Sequence, residues 1–135
     1  MESVINVLPS ISTFLGILLA IHGVNSYCHQ KRFDEKLRVY KQYLSIVANA
    51  TLTAEKQYEI NLNHMHILHK QELILFASKE IVDLAGEIEP INFTKNNPNR
   101  DIQYEKYLLL LNMMRIDLMK SNKKISEEIL RKLLG

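Results

Sequence analysis

The basic residues of this chain begin at position 31. All 17 lysines and arginines lie at or after Lys31, and the first 30 residues carry one charged side chain, Glu2. The chain of 135 residues is thus a nearly uncharged N-terminal piece followed by a remainder with 17 basic and 14 acidic groups. Val4 to Val24 reads VINVLPSISTFLGILLAIHGV, most apolar from Phe14 to Ile21. About 20 helical residues cross a hydrocarbon core of ~30 Å. The expected organisation is a transmembrane segment over 1–30 and a helical bundle over 31–135. A cleaved signal peptide needs a positive flank before its apolar run, and none precedes Lys31. A buried helix of a soluble domain is the other rival, and the uncharged length argues against it. Lys31, Arg32, Lys36, Arg38 and Lys41 flank the span on its C-terminal side. The positive-inside rule then places the N-terminus outside and the rest in the cytosol.

Polar residues within the span follow helical spacing. Asn6, Ser10, Thr13 and Ile17 step at i, i+4, i+7 and i+11, so they share a face. Gly16 and Ala20 form a small-xxx-small pair beside it, which suits close packing of helices. The same face would line a water-filled pore, or is simply tolerated near one leaflet. His22, Asn25 and His29 share a face at the inner boundary, next to Tyr27 and Cys28. They read either as interfacial polar residues or as a ring at the inner mouth of an oligomer. Cys28 is a juxtamembrane cysteine of the kind that can be palmitoylated.

Beyond Arg32 the helical period continues through Phe33, Leu37, Tyr40, Leu44 and Val47. The spacing predicts one helix from about Val4 to Ala48. A turn at Asn49–Thr53 precedes a second helix expected from Ala54 to Ala85, with Gly86 as its C-terminal cap and Ala77-Ser78 as a place where it could split. Its heptad Ile60, Ile67, Ile74, Ile81, with apolar neighbours on other faces, marks it as the spine of the bundle. Pro90, Pro98 and a polar run make Glu87–Arg100 the main loop. A third helix is expected over Asp101–Lys120, with a core stripe of Tyr104, Tyr107, Leu108, Leu111 and Leu118. Ser126 caps a short last helix, Glu127–Leu134. The fold class is all-α: a transmembrane helix continuing into a cytosolic bundle of 3–4 helices.

Motifs that carry chemistry are mostly absent from the sequence. One cysteine excludes an internal disulfide or a cysteine-based zinc knuckle. A net charge of +2 gives no footprint for nucleic acid, and none is expected as a partner. There is no phosphate-binding glycine loop, zincin motif or nucleophile context. No arginine precedes a histidine at the Arg-x4–6-His spacing of small helical ribonucleases. His66, His69 and Glu72 step at i+3 and would be three metal ligands only with a fourth from elsewhere, while His64 points away. No catalytic residue, cofactor or metal site is assigned, and the chain is read as a non-enzyme. Arg115 and Asp117 interrupt the apolar third helix. Such charges are paired or solvent-facing, or they ring a subunit interface or pore vestibule.

The uncharged span ending in Lys31-Arg32, the Tyr40/Tyr43/Leu44 helix, the Phe76–Ile81 segment and Met114-Arg-Ile-Asp-Leu118 before a Ser-capped helix cover most of the chain. This layout resembles small single-pass bacterial membrane proteins with a helical cytosolic domain. It is similar in plan to the membrane-pore accessory proteins of type VI-B CRISPR systems. The resemblance implies an inner-membrane location, a homo-oligomer that forms a pore or perturbs the bilayer, and a protein partner in an antiviral defence system. The alternative is a membrane-tethered scaffold or binding module whose span is only an anchor.

Overall fold

The computed structural model describes residues 2–49, 53–88, 98–121 and 123–134, with side chains from Ser10 onward except at Ala54. The described elements are all helices: α1 (Glu2–Asn49), α2 (Ala54–Glu59), α3 (Leu62–Phe76), α4 (Lys79–Gly86), α5 (Arg100–Met119) and α6 (Glu127–Leu134). The chain divides into two compact units, Met1–Asp34 and Glu35–Gly135. α1 supplies the described residues of the first unit and opens the second.

The single helix expected from about Val4 to Ala48 is observed as α1, and α5 and α6 match their expected bounds to within a residue. The second helix expected over Ala54–Ala85 is instead three helices. Asn61 adopts a left-handed conformation (φ 51°, ψ 53°) that ends α2 and starts α3. Asparagine tolerates that region because its short polar side chain bonds locally. The second break falls at the anticipated Ala77-Ser78, where both residues are extended. Gly86 does not serve as a left-handed cap; it is the last helical residue, and Glu87 follows in right-handed geometry. Ser126 meets its expected role: its Oγ accepts from the Ile129 N–H at 3.4 Å. Most of the expected loop (89–97) and part of the Asn49–Thr53 turn (50–52) lie outside the described residues.

In the second unit the spine is the end of α1, not the second helix. Val39, Tyr40, Tyr43, Ile46 and Val47 are buried, whereas Phe33 is exposed and Leu37 and Leu44 are half-buried. The buried set recurs at i, i+1, i+4, i+7 and i+8, a face rotated slightly from the expected one. Val39, Tyr40, Tyr43 and Val47 pack with Leu73 of α3, Ile81 and Ala85 of α4, Ile88, and Leu110 and Met114 of α5. Ile46 forms a smaller cluster with Leu62 and Met65. Each large side chain removed from water here contributes about 1.5–3 kcal/mol. Of the heptad Ile60, Ile67, Ile74, Ile81, only Ile81 is buried; the other three are exposed.

Candidate functional site

In the first unit the candidate site is a helix surface. α1 is long and apolar enough to cross a membrane, and none of its most apolar stretch is buried. Phe14 is 62% exposed, Leu19 72% and Val24 64%, with Ile11, Leu15, Ile17, Leu18 and Ile21 exposed around the circumference. Ser10, Thr13, Phe14 and Ile17 line one shallow groove along the helix. The structure thus brings together three of the four residues expected to share a polar face. The Asn6 side chain lies outside the described residues. Ser10, Ser12 and Thr13 each already have an interaction partner. A methyl group added at Gly16 would meet no atom within 4 Å, so the helix is open to close approach there. His22, Asn25 and His29 are exposed in α1, as is the free thiol of Cys28.

The second unit holds its polar groups in a network. Arg115 and Asp117 do not pair with each other. Two residues apart on a helix, they point to different sides. Asp117 Oδ2 accepts from the Tyr40 hydroxyl at 2.5 Å and lies 2.9 Å from Lys36 Nζ. Burial, and then the Asp117 carboxylate, push the Tyr40 hydroxyl well above the ordinary tyrosine range. Arg115 donates to the Lys123 carbonyl at 2.7 Å. Both charges are half-buried and engaged within their own chain.

Asn112 is the polar residue that the sequence pattern passed over. It is only 9% exposed, and its amide makes a two-way clamp on Ile125. Its Nδ2 donates to the Ile125 carbonyl at 2.9 Å, and its Oδ1 accepts from the Ile125 N–H at 3.0 Å. The available signal is an amide within the apolar run Leu111-Asn112-Met113, since buried amides are bonded almost without exception. The clamp holds the stretch of backbone that leads into α6. The Tyr43 hydroxyl donates to the Ala85 carbonyl at 3.3 Å, fixing α1 to α4. Burial, and then Tyr107, push that hydroxyl up to about 12.

The histidines do not assemble a metal centre. His69 is buried, with Nδ1 3.3 Å from Glu72 Oε2, and Glu72 also faces Arg38 at 3.6 Å. Arg38 in turn pairs with Glu35 at 3.0 Å. His66 is half-buried, and its Nε2 has no hydrogen-bond partner. Burial, and then Lys70, lower its pKa below the ordinary histidine value. Among the described residues no group of three His, Cys, Asp or Glu side chains is placed to hold a metal ion.

Comparison with known proteins finds no matching family model, no matching curated protein and no matching solved structure.

Proposed function

We propose that the chain is a single-span protein of the bacterial inner membrane, with its N-terminus outside and the Glu35–Gly135 unit in the cytosol, and that it works as a homo-oligomer. The observation that carries this reading is the uncovered apolar surface of α1. Eight large apolar side chains between Ile11 and Val24 stand about half or more exposed. Leaving such a surface in water costs on the order of 10 kcal/mol, which a bilayer recovers. The face of Asn6, Ser10 and Thr13, with Gly16 and Ala20 beside it, supplies the polar and small residues that let spans associate in lipid. Spans gathered on that face form a pore or perturb the bilayer, with His22, Asn25 and His29 at the inner mouth.

A second reading keeps the span as an anchor and gives the work to the cytosolic unit. It is favoured by one observation: Ser10, Ser12 and Thr13 already have partners, so they need no water-filled lumen.

Reconstituting the full chain into dye-loaded vesicles separates the two readings. A pore predicts dye release that is lost when residues 1–30 are replaced by an unrelated single-pass anchor. No release from the wild-type chain leaves the anchor reading. A detergent-solubilised mass equal to one chain at all concentrations would overturn the homo-oligomer itself.

A further inference from the structure

We propose that the turn between α5 and α6, which carries Lys120, Lys123 and Lys124, is a contact site for anionic phospholipid headgroups of the cytosolic leaflet. The inference rests on the proposed membrane span and its orientation, and names the surface of the second unit that meets the bilayer.

The first observation is the place of the turn within the second unit. Asp117, near the end of α5, lies 2.9 Å from Lys36, the second residue of the unit. Tyr107, ten residues earlier in α5, acts instead on Tyr43, further along α1. α5 therefore runs counter to this part of α1, and its C-terminal end returns to the point where the chain enters the unit. Five residues of chain lead from Lys31 to Lys36, at most about 17 Å of fully extended backbone. Connectivity alone keeps this end of the unit close to the boundary where the span leaves the bilayer.

The second observation is charge. From Leu118 to Ser126 the sequence holds three lysines and no Asp or Glu. All three lysines are exposed. Lys36, Arg38, Lys79, Lys106 and Arg131 pair with carboxylates, whereas Lys120, Lys123 and Lys124 pair with none among the described residues. A helix C-terminus favours a cation, which accounts for Lys120 but not for the two lysines beyond it.

The third observation is that the turn is held. Arg115 donates to the Lys123 carbonyl at 2.7 Å, and the Lys123 N–H donates to Ser121 Oγ at 3.4 Å. Asn112 bonds both the N–H and the carbonyl of Ile125. Lys120 itself holds a left-handed φ of 48°, where a helix end ordinarily carries glycine or asparagine. Backbone fixed in advance loses less freedom on binding.

A lipid surface is the occupant these features select. Each lysine brought near an anionic surface strengthens the contact about fivefold. Three lysines fall short of the roughly four to eight of a self-sufficient basic anchor. The span already holds the unit at the membrane, so the contact forms at high effective concentration. An acidic protein is the other occupant that charge alone would admit, and its binding would not follow lipid charge.

The test uses the full chain with Cys28→Ser and Met119→Cys, reconstituted in vesicles of phosphatidylcholine alone or mixed with phosphatidylglycerol. Met119 is 61% exposed at the end of α5, so a fluorophore on the new thiol leaves the core intact. Lipid with a nitroxide on its headgroup, at equal fraction in both, should quench the fluorophore more in the anionic vesicles. Lys120→Gln with Lys123→Gln and Lys124→Gln should weaken the contact on the order of 100-fold and remove that difference. Arginine substitutions at the same three positions should retain it. Salt at 1 M, where the Debye length is ~3 Å, should remove it. A fluorophore placed through Tyr58→Cys, exposed on α2, should show no such difference. If the chain floats with both kinds of vesicle while quenching at position 119 is the same in both, or the difference survives in the glutamine variant, the headgroup contact is wrong and the span stands. If the chain floats with neither, the membrane reading fails and the contact with it.

Discussion

Replacing Asn112 by alanine tests how the second unit holds its C-terminal end. The substitution removes both hydrogen bonds to Ile125, at 2.9 and 3.0 Å, from a side chain that is only 9% exposed. Each bond is worth about 1 kcal/mol net, and stranding the Ile125 N–H and carbonyl in a half-buried setting adds about 1 kcal/mol more. The expected loss is therefore about 2–3 kcal/mol. The bonds fix the segment that carries Ser126 and α6, so the loss falls first on α6. Its amide hydrogens should exchange about 30–100-fold faster, by the usual tenfold per 1.4 kcal/mol. The near-ultraviolet signal of Tyr40, Tyr43, Tyr104 and Tyr107 should melt at lower temperature in the detergent-solubilised full chain. Lys124→Ala, an exposed neighbour, is the control. Exchange in α6 that is unchanged in Asn112→Ala would refute the claim that the amide clamp secures this helix.

Three further outcomes follow from the same geometry. Tyr40→Phe removes one hydrogen bond to Asp117 and should cost about 1–2 kcal/mol in urea unfolding, whereas Tyr58→Phe, on an exposed residue, should cost nothing measurable. His66 has its pKa lowered in the folded state, so the unfolded chain binds more protons as pH falls through the ordinary histidine range near 6.5. Stability should drop with acidification across that window and flatten in His66→Gln; an unchanged slope would show that burial of His66 is not the cause. Asn61 holds a left-handed φ of 51°, so Asn61→Gly should be tolerated while Asn61→Val should destabilise by about 1–2 kcal/mol in thermal melts.

Much of the fold was legible because local signals are strong where they occur. The nearly uncharged run that ends at Lys31, unbroken by a helix-ending cluster, marks α1, and Ser126 with Glu127 and Glu128 marks the start of α6. The break at Asn61 was not legible, since the surrounding residues keep a helical period and only tertiary packing decides that α3 turns on a left-handed asparagine. The phase of the α1 core face was also missed. Tyr43 and Ile46 sit next to residues of similar hydrophobicity, and the choice between adjacent faces depends on what α4 and α5 present. The heptad Ile60, Ile67, Ile74 was visible, but periodicity states that a face is apolar and not what covers it. Of the candidate site, the groove of Ser10, Thr13 and Ile17 follows directly from helical spacing. The separate partners of Arg115 and Asp117 required the neighbouring chain segments to be in place.

The central claim is that the N-terminal part of α1 lies in a bilayer, and alkaline carbonate extraction of membranes carrying the full chain tests it most directly. The wild-type chain should remain in the membrane pellet, and a variant with Leu18→Arg and Leu19→Arg at the centre of the apolar run should shift to the supernatant. Release of the wild-type chain by carbonate would contradict the account.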